Sequence, residues 1–308
     1  MRAVEFGISV PQFFADGEFD PGAYRTYFAR AEELGFGSAW AQEQVLGAGP
    51  QLSALETMTY AAACTQRLRL GCAVFVSTLH NPVHLANSLA TLDQLSRGRL
   101  EVGVGTGGKT RPFAAFGVDP QRYVARFTEG IALMKALWTE PRVTFDGEFW
   151  QLQDAAMEPK PFQKPHPPLW FGGSSATALR RAVRLGDGFF GAGSTTTAAF
   201  ASQVEIVTDA LSAAGRPAAG FPIAKRIYIG IDPDPDQARA RVNAGLAQIY
   251  GRRVPAIAEA AVAGTVSECV AAAQEVADAG AELILFTPLY DVPEHMERIA
   301  TQIIPRLG

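Results

Sequence analysis

Short apolar runs alternate with longer stretches of helical periodicity along almost the whole chain. The run at residues 283–286 is apolar at four consecutive positions, a pattern typical of parallel strands that are covered on both faces. The short runs predict eight strands: Val4–Val10, Ser38–Ala41, Arg69–Val76, Leu100–Val104, Leu169–Phe171, Gly188–Phe190, Ile223–Ile229 and Glu282–Phe286. The longer stretches predict eight helices: Pro21–Leu34, Leu55–Gln66, Pro82–Leu95, Arg122–Trp138, Ala176–Leu185, Ala198–Ala213, Pro235–Tyr250 and Ser267–Ala279.

The first predicted helix is bounded by residues that favour helix ends. Pro21 follows Asp20 at its start, and Gly35 follows Leu34 at its end, which matches the preference for an early proline and a terminal glycine. The alternation of strands and helices shows no evident linker. It predicts the α/β class and a single-domain (β/α)8 TIM barrel over residues 1–308 rather than an open sheet.

Two segments exceed a minimal barrel. The first is an insertion at about residues 139–168, between the fourth and fifth strands, and it contains a hairpin pattern with an Asp-Gly turn at Phe145–Phe149. Its proline-rich end, Pro159–Pro168, predicts an extended connector. The second segment is the connection Gly251–Gly264, which we expect to be a mobile helix or a lid.

Composition and charge narrow the class of protein. Of 308 residues, 48% are hydrophobic and 19% are charged, which excludes a disordered chain. The formal net charge of −4 disfavours a nucleic-acid partner, because binding to the phosphate backbone needs a basic surface. No apolar run approaches the roughly 20 residues that cross a bilayer, and the first residues do not resemble a signal peptide. We therefore expect a cytoplasmic protein with no membrane partner that binds a small-molecule substrate.

The cysteines and histidines do not predict a metal site. The three cysteines are Cys64, Cys72 and Cys269. Their wide spacing is that of neither metal ligands nor a disulfide framework. His80 and His84 are four residues apart, but a proline between them interrupts a regular helix. The sequence also lacks the HExxH pattern of zinc proteases.

Two glycine-rich loops follow predicted strands, at the end of a barrel where active sites lie. The segment Gly103–Gly108 contains four glycines in six positions, which favours either a tight turn or a close approach of the backbone to a flat ring or a phosphate. The segment Gly172–Ser175 precedes a helix, so it predicts an anion site at the helix N-terminus. The alternative is that Ser174 and Ser175 only cap that helix.

Ionisable residues at the strand ends are candidates for acid–base chemistry. Glu43 follows the second strand and His80 follows the third, and histidine changes charge near neutral pH. Glu43 is alternatively a buried acid that orients loops, and His80 a cap of the helix that begins at Pro82. Beyond the glycine turn, Lys109 and Arg111 are either contacts for an anionic tail or ordinary surface charges.

Several of these segments together resemble the bacterial luciferase-like superfamily, whose members use reduced FMN or the deazaflavin coenzyme F420. The matching segments, in order, are Gly35–Gln44, Leu70–Val74, Gly103–Gly107, Phe145–Trp150, Pro159–Trp170 and Arg184–Phe189. The resemblance covers nearly the whole chain. It implies a TIM barrel with the cofactor ring over the carboxyl ends of the strands, a cis peptide bond between Ala73 and Val74, and a possible homodimer.

From the loops and the resemblance together we expect a cofactor site. The residues expected to contact the cofactor are Ala73, Val74, Gly105, Thr106, Gly107, Gly172, Gly173, Ser174 and Ser194. The chain departs from the family pattern at three positions. Many members have a histidine where this chain has Gln44, FMN monooxygenases have an arginine near Thr106, and deazaflavin sugar-phosphate dehydrogenases have a glutamate at Gly108. Glutamine hydrogen-bonds but does not carry protons, so catalytic roles are expected for His80 and Glu43, with Gln44 as a polar contact.

The sequence thus predicts an oxidoreductase that moves two electrons between a flavin-type cofactor and a small organic substrate. F420-dependent hydride transfer and FMN-dependent monooxygenation are about equally favoured. One alternative is a non-catalytic relative that binds a flavin as a store or sensor. Another is an aldolase-like barrel, which needs a lysine at a strand end, and Lys225 is the lysine on a predicted strand.

Overall fold

The computed structural model describes residues 4–14, 18–47, 49–108 and 113–308. These residues form eleven strands: β1 (Glu5–Ser9), β2 (Ser38–Ala41), β3 (Arg69–Val76), β4 (Leu100–Gly105), β5 (Val143–Asp146), β6 (Gln151–Ala155), β7 (Leu169–Gly172), β8 (Gly188–Gly191), β9 (Ile223–Ile231), β10 (Val262–Gly264) and β11 (Leu283–Pro288). They also form ten α-helices: α1 (Pro21–Glu33), α2 (Ala54–Cys64), α3 (Pro82–Ser96), α4 (Tyr123–Thr139), α5 (Ala176–Leu185), α6 (Thr197–Ala213), α7 (Pro235–Tyr250), α8 (Pro255–Glu259), α9 (Val266–Asp278) and α10 (Val292–Arg298).

Eight parallel strands close into a barrel. Their order around it is β1, β2, β3, β4, β7, β8, β9 and β11, with β11 paired to β1 and β8 paired to β9. The strands are buried over most of their length, because helices cover the outer face and side chains fill the inside. The TIM-barrel prediction is therefore confirmed.

Most predicted elements lie where the sequence placed them, and two regions differ. The connection Gly251–Gly264 is not simply a mobile helix or lid, because it contains the short helix α8 and the strand β10, which pairs with the end of β9. The chain also continues after β11 into α10, a helix that the sequence analysis did not include. α8, β10 and α10 are all short, so their sequences show little hydrophobic periodicity.

The insertion between β4 and β7 is anchored to the outside of the barrel. β5 and β6 pair antiparallel, as the hairpin pattern predicts, and the backbone N–H of Gly147 donates to the carbonyl oxygen of Trp150 at 3.0 Å. The carboxylate of Glu129 on α4 accepts hydrogen bonds from three backbone N–H groups at residues 148–150, at 2.8 to 3.1 Å. The connector that follows has no helix or strand and contains cis prolines at 159 and 165.

A cluster of aromatic and aliphatic side chains fills the inside of the barrel. The ring centroids of Trp40 and Trp170 lie 5.9 Å apart, and Phe190 lies 4.7 Å from Trp40 and 5.8 Å from Trp170. Ala224, Leu283 and Leu285 complete this buried cluster. The cluster fills the inside of the barrel, so a ligand that binds at the carboxyl ends of the strands would rest on top of it, where the loops after the strands gather.

Candidate active site

A cavity of about 470 Å³ lies at the carboxyl ends of the barrel strands, within the range of small-ligand sites. It is lined by the last residues of β3, by residues at and after the ends of β2, β4, β7 and β8, and by side chains of β9, α4, α5 and the end of α7. Eleven of the twelve residues expected from the sequence line this cavity: Glu43, Gln44, Ala73, Val74, Gly105, Thr106, Gly107, Gly172, Gly173, Ser174 and Ser194. The twelfth, His80, is not among the lining residues.

His80 reaches the cavity through Glu43. Nε2 of His80 lies 2.8 Å from Oε1 of Glu43, and Oε2 of Glu43 accepts a hydrogen bond from the backbone N–H of Val76 at 2.7 Å. The Glu43 side chain is 9% exposed and the His80 side chain 31% exposed. Asn81, and not His80, caps α3 by accepting from the N–H of Val83. The two candidates therefore form one pair, with the carboxylate facing the cavity and the imidazole facing solvent.

The end of β3 is irregular, and glycines on the next strands make room for it. The peptide bond between Ala73 and Val74 is cis, as the resemblance implies, and the pairing of β3 with β4 shifts register across it. A Cβ on Gly105 would lie 2.8 Å from Val74, and one on Gly172 would lie 3.1 Å from it. A Cβ on Gly103 would collide with the carbonyl oxygen of Cys72. These glycines thus let the Ala73–Val74 backbone project toward the cavity.

The glycine–serine loop, residues 172–175, begins at the end of β7. Some of its residues support α5, and others are accessible from the cavity. The Ser175 side chain caps α5 by accepting from the N–H of Ala178 at 3.3 Å, so for Ser175 the capping interpretation is right. A Cβ on Gly173 would lie 2.8 Å from Cβ of Ala178, which explains the glycine by helix packing. Ser174 is exposed and lines the cavity. The loop therefore offers a hydroxyl beside the N-terminus of a ten-residue helix, where anions are favoured.

The turn after β4 is shaped by local bonds. Gly107 has a φ of 69°, a left-handed conformation that favours glycine, and the Thr106 hydroxyl donates to the carbonyl oxygen of Gly107 at 3.1 Å. The Thr78 hydroxyl in turn donates to the carbonyl oxygen of Thr106. Lys109 and Arg111, which the sequence analysis considered for an anionic tail, lie outside the described residues.

Several residues that line the cavity were not singled out from the sequence. Arg226 on β9 is the most buried of the charged ones, at 7% exposure, and it donates to Oε1 of Gln42 and to the carbonyl oxygen of Ala73. Tyr228 lies two residues further along the strand, and its hydroxyl is 3.0 Å from that of Tyr250 on α7. A basic residue inside a buried strand pattern was the available signal for Arg226.

Arg181 on α5 also lines the cavity beside Ser174. It forms no ion pair with any other described residue. Burial, and then the nearby charge of Arg184, lower its pKa. A guanidinium close to the glycine–serine loop adds to the positive potential that this loop presents to an anion.

Lys225 does not support the aldolase-like alternative. Its ammonium group is 1% exposed, is not among the cavity-lining residues, and donates to the carbonyl oxygens of Ala192 and Arg226 at 2.5 and 3.0 Å. Burial, and then the charge of Arg226, lower its pKa to about 7. It holds the loop after β8 instead of reaching a substrate.

Within residues 4–14, 18–47, 49–108 and 113–308, no three histidine, cysteine or acidic side chains are grouped in a way that could hold a metal ion. No helix in the same residues combines the length and the apolar character needed to cross a bilayer.

Comparison with known proteins points to one family. The family model described as luciferase-like monooxygenase matches residues 4–282. A curated relative named F420-dependent glucose-6-phosphate dehydrogenase, from Kineococcus radiotolerans, is 33% identical over 232 residues, which are 72% of this chain and 67% of the relative.

Solved structures share the fold over its full length. The monooxygenase RslO1 from Streptomyces bottropensis superposes with a TM-score of 0.83 at 25% identity, covering 98% of this chain and 99% of its own. An F420-dependent secondary alcohol dehydrogenase, solved with an F420–acetone adduct, superposes with a TM-score of 0.84 at 21% identity and covers 99% of each chain.

Proposed function

The chain belongs to the luciferase-like monooxygenase family, and from that premise we propose that it is an F420-dependent oxidoreductase that transfers a hydride between the cofactor and a small organic substrate. The observation that carries this proposal is the single cavity that joins the Ala73–Val74 peptide, the glycine–serine loop and the Glu43 carboxylate. The name of the relative at 33% identity favours F420 over FMN.

The residues present fit a cofactor with a flat ring and a phosphate. Gly105 and Gly172 keep space beside Val74 that a side chain would fill, so the ring is proposed to lie against the Ala73–Val74 backbone. Gly172, Gly173 and Ser174 are proposed to hold the phosphate, with help from Ser194, which lines the same cavity. Unpaired N–H groups and the helix dipole favour an anion there.

Bound F420 would supply the hydride acceptor or donor, while the protein supplies position and protons. The Glu43 carboxylate, which the N–H of Val76 and the imidazole of His80 hold in place, is proposed to take or give the proton that accompanies hydride transfer. His80 is exposed enough to exchange that proton with solvent. Gln44 is proposed to orient the substrate, since an amide donates and accepts hydrogen bonds without titrating.

FMN-dependent monooxygenation is a second candidate, which the 25% identity to a monooxygenase over nearly the full chain favours. The same ring and phosphate contacts would serve FMN. The two candidates differ in whether the reduced cofactor reacts with oxygen or passes its hydride directly to the substrate.

Titration of the purified protein with F420 and with FMN tests the proposal. We expect F420 to bind with a perturbed absorption spectrum and to be turned over anaerobically with alcohols or carbonyl compounds. Preferential binding of FMN with oxygen-dependent turnover would support the second candidate. Binding of either cofactor without turnover of any acceptor would favour the store or sensor, and absence of binding would contradict the proposal.

A further inference from the structure

Arg226 lies at the floor of the cavity, where its guanidinium is held by neutral acceptors. Nη1 donates to Oε1 of Gln42 at 2.8 Å, and Nη2 donates to the carbonyl oxygen of Ala73 at 3.0 Å. The side chain is 7% exposed and lines the cavity. Nε is buried and has no hydrogen-bond partner in the part of the chain that the structure describes. An arginine has five N–H donors, so each Nη keeps one donor that neither Gln42 nor Ala73 uses.

No carboxylate of the described residues forms an ion pair with Arg226. Glu43, the acid that lines the same cavity, is already bonded to His80 and to the N–H of Val76. The adjacent strand residue is Lys225, a second cation. A buried positive charge without a counter-charge is unfavourable, and a ligand that brings a negative charge would remove that penalty.

We infer that Arg226 binds an anionic, planar oxygen-bearing group of the ligand at the cavity floor. The donors that remain on Nε and on the two Nη atoms are those with which arginine forms its fork to a carboxylate or a similar delocalised anion. A neutral ligand group would satisfy the hydrogen bonds but would leave the charge uncompensated.

Two sources could present this chemistry, and the first rests on the proposed function. One is the cofactor ring, because a flavin-type ring that is reduced and deprotonated carries negative charge over its pyrimidine oxygen. The other is a carboxylate or enolate of the substrate. Two measurements distinguish these sources. One is the affinity for the cofactor in its oxidised and reduced states, and the other is the affinity for a small carboxylate that stands in for the substrate.

The experiment compares the wild type with Arg226→Gln and Arg226→Lys. Binding is measured anaerobically for oxidised and reduced F420, and separately for benzoate and its neutral analogue benzamide, with and without oxidised F420. Arg99→Gln is the matched control, because Arg99 also donates to buried carbonyl oxygens but precedes β4 at the opposite end of the barrel. Circular dichroism checks that each variant is folded. If Arg226→Gln does not fold, Arg226→Lys, which retains the positive charge but not the guanidinium fork, is used for the comparison.

If the ring is the source, Arg226→Gln weakens reduced F420 by on the order of 10- to 100-fold more than oxidised F420. If the substrate is the source, the wild type binds benzoate more tightly than benzamide by a similar factor, and Arg226→Gln removes this difference. The variant then changes the affinities for oxidised and reduced F420 by the same factor. Arg226→Lys keeps part of the preference, and Arg99→Gln keeps all of it. Equal losses for charged and neutral ligands would overturn the inference. A wild type that binds no cofactor but prefers benzoate through Arg226 would contradict only the proposed function.

Discussion

Glu43 lies between His80 and the cavity, and the proposed function uses the two side chains as a pair. The carboxylate lines the cavity and the imidazole does not, although Nε2 and Oε1 are 2.8 Å apart. A proton delivered to the substrate would therefore leave from Glu43 and be replaced through His80. General acid–base groups need hydrogen-bond reach to the reacting atom, and of the two side chains only Glu43 lines the cavity in which a substrate would bind.

Substitutions separate the pair from its neighbour Gln44. We expect His80→Ala and Glu43→Gln each to lower the single-turnover rate by on the order of 10²–10⁴, while Gln44→Ala lowers it modestly through lost positioning. An intact rate in His80→Ala with no activity in Gln44→Ala would make residue 44 the essential contact.

Lys225 makes the stability of the protein depend on pH. Burial lowers its pKa to about 7 from an ordinary value of 10.5, so between these values the unfolded chain binds more protons than the folded protein. The free energy of unfolding therefore rises with pH across this window. Below it, the folded protein bears the full cost of burying the charged ammonium group.

The variant Lys225→Met removes this titration while keeping the length of the side chain. We expect the free energy of unfolding of the wild type to gain about 3 kcal/mol relative to the variant between about pH 7 and about pH 9.5. Urea denaturation at both pH values measures it, and the comparison cancels other titrating groups. Parallel pH profiles of the two proteins would show that Lys225 is protonated in the folded state throughout.

The glycine–serine loop is fixed in place by its contacts with α5. The N-terminus of α5 is capped by Ser175 and packed against Gly173 through Ala178, which leaves Ser174 as the side chain that can change without disturbing the helix. Gly173 is a poor site for a test, because any Cβ there would press on the helix.

Placing an acid at residue 174 tests whether the loop binds a phosphate. We expect Ser174→Asp to weaken the binding of a phosphate-bearing cofactor by about tenfold or more through charge repulsion. The neutral control Ser174→Asn should have a small effect, and riboflavin, which has no phosphate, should not distinguish the two variants. An acid near a helix N-terminus stabilises the helix, so weaker binding would not reflect unfolding. Equal affinities of both variants for the cofactor would place the phosphate elsewhere.

Elements could be predicted from the sequence wherever the pattern is local. The bounds of β2, β3, α5 and α7 agree with the prediction at both ends, because their apolar periodicity and end residues are contained in a short stretch. β10 has three residues and α10 has seven, which is too little for a periodic signal. These two elements depend on contacts with the completed barrel.

At the scale of the whole molecule, closure of the barrel assembles what no local pattern contains. The hydrogen bond between Arg226 and Gln42 joins positions 184 residues apart, so the sequence alone did not indicate their contact. Loop residues were easier, because the carboxyl end of each strand faces the same side of a barrel. That rule, the glycine-rich loops and the family resemblance together identified eleven lining residues but missed Arg226, which lies in the middle of β9.

The aromatic cluster inside the barrel gives the protein a built-in optical reporter. Phe190 both lines the cavity and contacts the rings of Trp40 and Trp170, so a bound ligand lies one side chain away from two indoles. A flavin-type chromophore absorbs where tryptophan emits, and energy transfer becomes more efficient as the distance falls. We therefore expect cofactor binding to quench the intrinsic emission without any label. Trp40→Phe should remove more of this quenching than Trp138→Phe, since Trp138 lies on α4, outside the barrel wall. An equal loss in the two variants would mean that the chromophore sits no closer to the barrel axis than to its outer helices.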